Sequence, residues 1–129
     1  RRVRSKGNRW TRRAKQPPPT GNMCSPGTEI QYNGKQFNGH CLNSSSWTYT
    51  RGEWVKAELI VLGDSLIKHM INGDTVLQYS KPAMGGGVVE GYDPKIWQPG
   101  KPLQSGHIAL QSEGQPIEFK NIRIRELKP

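Results

Sequence analysis

Gly52-Glu53-Trp54-Val55-Lys56-Ala57-Glu58-Leu59-Ile60-Val61-Leu62, Gly63-Asp64, Ser65-Leu66-Ile67-Lys68-His69-Met70-Ile71, Asn72-Gly73, Asp74-Thr75-Val76-Leu77-Gln78-Tyr79 is the stretch that decides the fold. Three runs rich in β-branched and apolar residues are separated by two turn signals. Asn-Gly is the stronger, because a type I′ turn needs positive φ at both central residues. Gly63-Asp64 is a weaker signal of the same kind. The reading is a three-stranded antiparallel meander against which the rest of the chain must pack or pair. Val55, Ala57, Leu59 and Val61 share one face, which is uniformly apolar and is expected to face the core. Trp54, Lys56, Glu58, Ile60 and Leu62 share the other, polar early and apolar late, as on a partly covered sheet.

Working outward on the N-terminal side, Thr28-Glu29-Ile30-Gln31-Tyr32, Asn33-Gly34 and Lys35-Gln36-Phe37 read as a second hairpin. Cys24 and Cys41 lie on either side of it. They are the only cysteines, and His40, His69 and His107 the only histidines, so paired short-spaced zinc ligands are missing. The two cysteines read as a disulfide stapling the start and end of the hairpin. The other reading is two buried thiols in a reducing compartment. No cofactor or metal site is expected. Asn43-Ser44-Ser45 matches the glycosylation sequon, which matters only in a eukaryotic secretory pathway. Trp47–Tyr49 is a candidate extra strand.

Gln16-Pro17-Pro18-Pro19-Thr20-Gly21 reads as a stiff extended connector. Residues 1–21 are therefore taken as a basic and Pro-rich arm, and residues 22–129 as the folded body. The net charge of +9 belongs to the arm: residues 1–15 hold eight cations and no acid, leaving 11 cations against 10 acids in the body. A contact with an anionic polymer, nucleic acid included, would rest on that arm alone. A solvated arm is the plainer reading. No apolar run reaches the ~20 residues of a membrane span. At 33% hydrophobic residues with 15 Gly and 10 Pro, the composition suits a loop-rich all-β chain.

On the C-terminal side, residues 80–105 form a long connection rich in Gly and Pro, with Tyr92, Asp93 and Trp97 inside it. Gly106–Gln111 and Ile117–Leu127 read as closing strands. In the second the apolar phase shifts between Phe119 and Ile122, as a bulge near Asn121 would require. No helix is indicated.

Gly52-Glu53-Trp54, the turn in Ile71-Asn72-Gly73-Asp74-Thr75-Val76-Leu77, Gly106-His107-Ile108-Ala109-Leu110-Gln111-Ser112-Glu113 and Ile117-Glu118-Phe119-Lys120-Asn121-Ile122-Arg123-Ile124 form an ordered series. It resembles the C-terminal part of the 3-keto-disaccharide hydrolase domain family, over roughly residues 22–128. The resemblance implies an all-β, concanavalin-like jelly-roll sandwich, related in fold to family-16 glycoside hydrolases. It also implies a carbohydrate ligand and hydrolysis of a glycosidic bond. With the cysteine pair, the expected location is periplasmic or extracellular. The early strands of that family, with their acidic motif, have no counterpart here, so the sandwich is expected to be incomplete on its N-terminal side. A second chain or another copy would complete the sheets.

The chemistry-bearing residues divide into two groups. A glycosidase needs two facing carboxyl groups, and Glu-x-Asp-x-x-Glu on one strand is absent. Glu113 and Glu118, flanking a turn, and His69 and His107, on strands, are the weak catalytic candidates. Each is more simply read as solvated or hydrogen-bonded structure. Carbohydrate binding needs only aromatic rings and a few polar groups, for which Tyr92, Asp93 and Trp97 are the candidate cluster. The plainer role for Trp97 is a plug that pins the long loop. A non-catalytic carbohydrate-binding or structural module is the alternative to the hydrolase.

Overall fold

The structure, a computed structural model, describes residues 17–49, 52–86, 90–112, 114 and 116–128. The basic stretch 1–15 and Glu113 lie outside them. Among the described residues there are strands and no helix. The strands are β1 (Met23–Cys24), β2 (Thr28–Tyr32), β3 (Lys35–Phe37), β4 (Cys41–Leu42), β5 (Ala57–Leu62), β6 (Leu66–Ile71) and β7 (Asp74–Met84). A five-stranded antiparallel sheet has the order β3-β2-β7-β6-β5, and β1-β4 is a separate two-stranded ribbon.

The meander forms as β5-β6-β7. Asn72 and Gly73 take φ of 52° and 94°, and Asn33 and Gly34 take 50° and 74°, which is the double left-handed conformation that Asn-Gly tolerates. Asn72 does more than turn the chain. Its N–H donates to Lys56 O at 2.8 Å, its Oδ1 accepts from Lys56 N–H at 3.0 Å, and its amide donates to Tyr49 Oη at 3.0 Å. The Gly63-Asp64 turn differs from the expected two-residue form. Leu62 pairs with Leu66, so Gly63-Asp64-Ser65 make a three-residue loop, closed by Ser65 N–H and Oγ–H donating to Leu62 O.

Two bulges shape β7. Val76 is an extra residue between the pairs His69–Leu77 and Met70–Thr75. Its carbonyl accepts from Ser45 N–H at 2.9 Å. Lys81 and Pro82 together oppose Ile30, between the pairs Gln31–Ser80 and Glu29–Ala83. Lys81 takes φ of 49° there. A bulge is where proline fits in a strand, because the missing N–H breaks no ladder bond. This corrects the expectation that residue 80 begins the loop: β7 runs on to Met84.

The core lies on one face of the large sheet. Ile30 and Leu77 are buried against Met23 of the ribbon, with Tyr32, Phe37, Leu42 and Tyr79 packed around them. Ile67, Ile71 and Val76 are buried beside them. The covering layer is the ribbon with the irregular segments 17–22 and 43–49. These segments tie to each other: Thr20 N–H donates to Trp47 O, Ser44 Oγ–H to Thr20 O, and Ser44 N–H to Asn22 Oδ1. Trp47–Tyr49 therefore serves as a strap rather than an extra strand. Cys24 and Cys41 oppose each other across the ribbon and are disulfide-bonded, as expected.

Two expectations are overturned. The apolar side of β5 has the right phase, since Leu59 pairs with His69 and Val61 with Ile67 on the core face. Yet Leu59 is 57% and Val61 49% exposed, because the covering layer ends over β6. The closing strands also do not form: after Met84 the described residues contain only an isolated bridge, Ala83–Pro102. A strand exists only where a second backbone accepts its hydrogen bonds, and residues 106–110 and 116–128 join no ladder among the described residues. The phase shift is nonetheless real, since Asn121 takes φ of 54°.

Candidate functional site

The long loop after β7 is held by backbone bonds to the end of that strand. Met84 N–H donates to Lys101 O, Gly100 N–H to Met84 O, and Leu103 N–H to Pro82 O. Inside this frame Asp93 organises a turn. Its carbonyl accepts from Ile96 N–H at 2.9 Å and Trp97 N–H at 3.0 Å, and its Oδ1 accepts from Lys95 N–H at 2.8 Å. That is the local bonding that aspartate offers at turns. The turn sets Trp97 beside Tyr92, with ring centroids 5.1 Å apart and planes tilted by 33°.

The two rings line a pocket of about 300 Å³ with Pro26, Gly27, Thr28, Met84, Asp93, Ile96 and Leu103. The Pro26-Gly27 turn belongs to it through Gly85 N–H donating to Gly27 O at 3.1 Å. Apart from Asp93 the lining side chains are aromatic, aliphatic or small. The arrangement suits the apolar face of a ring-shaped ligand with one carboxylate at its rim. Tyr92, Asp93 and Trp97 thus come together in one site. Met84, Leu103 and the 26–28 turn are lining residues that sequence reasoning missed. The only signal was the Pro-Gly dipeptide, which marks a turn without saying what it meets.

A second cleft, of about 250 Å³, is lined by Glu29, Gln31, Gln36, Asp64, Lys81 and neighbouring residues. It had no sequence signature, because a bulge and a three-residue loop bring its members together.

The catalytic candidates do not converge. His69 is tied into the fold: Nδ1 lies 2.8 Å from Gly21 O and Nε2 3.1 Å from Tyr79 Oη. A carbonyl only accepts, so Nδ1 carries the proton and, in the neutral ring, Nε2 accepts from the Tyr79 hydroxyl. The rings meet edge to face at 5.3 Å. Burial pushes the Tyr79 phenol up from its ordinary value. His107 and Glu118 lie exposed on the C-terminal stretch, away from any pocket lining described above. Glu113 lies outside the described residues. Among the described residues no three His, Cys, Asp or Glu side chains form a group that could hold a metal ion. No helix there is long and apolar enough to cross a membrane.

Two antiparallel sheets, one layered on the other, with no helix among the described residues and an aromatic pocket in the long loop, define a β-sandwich domain of the concanavalin-like, carbohydrate-related class. The chain belongs to the 3-keto-alpha-glucoside-1,2-lyase-like domain family, whose profile matches residues 4–125. The match begins within the basic stretch. No curated protein and no solved structure matches the chain.

Proposed function

We propose that the chain is a carbohydrate-binding domain and that the Tyr92–Trp97 pocket is where the sugar docks. The observation that carries this is the tilted ring pair lining a largely apolar pocket together with Met84, Ile96 and Leu103. Sugar C–H faces stack on aromatic rings, and the free Asp93 oxygen is an acceptor for ring hydroxyls. The family's description, 3-keto-alpha-glucoside-1,2-lyase-like, supports a glucose-containing saccharide as the ligand. The disulfide fits an oxidising location, periplasmic or extracellular. Contact of residues 1–15 with an anionic polymer is a separate proposal resting on their charge alone. Cleavage of the glycosidic bond takes its support from the family, not from any pair of carboxylates in this pocket.

The test is calorimetric titration of the purified chain with glucose-containing disaccharides, alongside Trp97→Ala and Trp97→Phe. Binding should be lost with Ala and partly kept with Phe, a stacking partner being worth roughly 1 kcal/mol or more. Binding indifferent to Trp97→Ala would overturn the site. Turnover of the disaccharide, lost on Glu118→Gln, would favour the hydrolase over the binding module.

A further inference from the structure

β5 is the last strand of the large sheet, with β6 on one side and no strand on the other among the described residues. Its Leu59 and Val61 extend the apolar face that buries Ile67 and Ile71, but they stay 57% and 49% exposed, with no strand over them among the described residues. The C-terminal stretch has the opposite deficiency. Ile117 and Phe119 alternate, then Ile122 and Ile124 alternate in the other phase. Asn121, at φ 54°, inserts one residue between the two pairs. One inserted residue reverses the phase, so all four side chains belong to one face. That is the pattern of a strand lying over an apolar layer, yet Ile122 is 67% and Ile124 85% exposed.

We propose that the chain pairs with a second copy of itself by strand exchange: residues 117–124 of each copy add to the free edge of β5 in the other. The edge lacks a strand and an apolar cover, and the tail supplies both. Each chain carries one of each, so a reciprocal exchange satisfies both and closes as a two-fold dimer. On the other face β5 presents Glu58, already 2.9 Å from Lys56 Nζ, with Ile60 and Leu62, so the pairing rests on the open edge and its apolar side chains and not on charge. The tail of the same copy does not serve. Lys120 Nζ sits 3.7 Å over the Trp54 ring, so the tail passes just before β5 begins, and its apolar residues stay exposed there.

Sedimentation velocity of the full chain across the micromolar range tests the pairing, with Val61→Lys as an edge variant and Ile124→Lys as a tail variant. Both sites are exposed, so near-ultraviolet circular dichroism should confirm that the variants fold. The wild type should form dimers that dissociate on dilution, and each variant alone should dimerise at least roughly tenfold more weakly. Mixing the two should restore association, because the edge of the tail variant and the tail of the edge variant remain intact. Amide exchange should slow at residues 57–62 and 117–124 as concentration rises. A monomer at every concentration, a dimer unaffected by both substitutions, or a tail already protected in the monomer would each overturn the proposal.

Discussion

At the scale of single residues, His69 and Tyr79 show how a residue that looks catalytic can be structural. The imidazole joins the 17–22 segment to β6 through Gly21 O and is itself held by the Tyr79 hydroxyl. Tyr79→Phe leaves Nε2 without its donor and should lower stability by about 1 kcal/mol near neutral pH, measured by urea unfolding. The same variant tests the titration. Burial raises the folded-state pKa of Tyr79, so the neutral phenol is favoured in the fold. Its contribution is complete below the unfolded value of about 10 and is lost as pH rises through the raised folded value. Stability of the wild type should therefore fall in that alkaline window, and Tyr79→Phe should flatten part of the decline.

Among the elements, the Asn-Gly turns and the disulfide ribbon carry the most testable content. Gly73 takes φ of 94°, and a Cβ built there would meet nothing within 4 Å. The cost of Gly73→Ala is then conformational alone, about 1–2 kcal/mol for a left-handed L-residue. Unfolding that shows no loss would mean that the turn relaxes to another type. Removing the bridge with Cys24→Ser and Cys41→Ser releases a loop of sequence separation 17. On the chain-entropy model the loss is about 3 kcal/mol. It should appear as a lower urea midpoint, with the ribbon's Met23 no longer protected in amide exchange. A much smaller effect would mean that the hydrogen bonds between segments 17–22 and 43–49 already hold the covering layer.

For the whole molecule, the dominant fact is how little of the apolar side-chain surface is covered. The buried core is Met23, Ile30, Ile67, Ile71, Val76 and Leu77, whereas Leu59, Val61, Ile108, Leu110, Ile117, Phe119, Ile122 and Ile124 are exposed. So many exposed large apolar side chains, on one strand edge and one terminal stretch, are the kind of surface that interaction sites use. The dilute folded protein should therefore bind an apolar dye such as ANS, with fluorescence falling as concentration rises into the range of association. A native protein silent to the dye at every concentration would mean that the tail is already covered.

The sequence by itself determined the local chemistry. Alternation placed β2, β3, β5, β6 and most of β7, and Asn-Gly set two turns, because positive φ is a property of those residues and their immediate neighbours. The disulfide was legible because two cysteines without other ligands flank one hairpin. Tyr92, Asp93 and Trp97 were legible as a group because they share one loop. Everything that depends on a partner far along the chain was decided only in three dimensions. Alternation says which side chains share a face, not whether another layer reaches them, so Leu59 and Val61 read as core and lie open at the edge. The same pattern in residues 106–111 and 117–127 read as strands, but a strand also needs a neighbouring backbone to bond to, and no ladder forms there among the described residues. The third run read as ending at Tyr79, but a bulge opposite Ile30 makes room for Pro82 and β7 runs on to Met84. The pocket lining, which brings Pro26 to Leu103, and the tie of His69 to Gly21 join residues 48 or more positions apart, a juxtaposition that packing creates and no local pattern encodes.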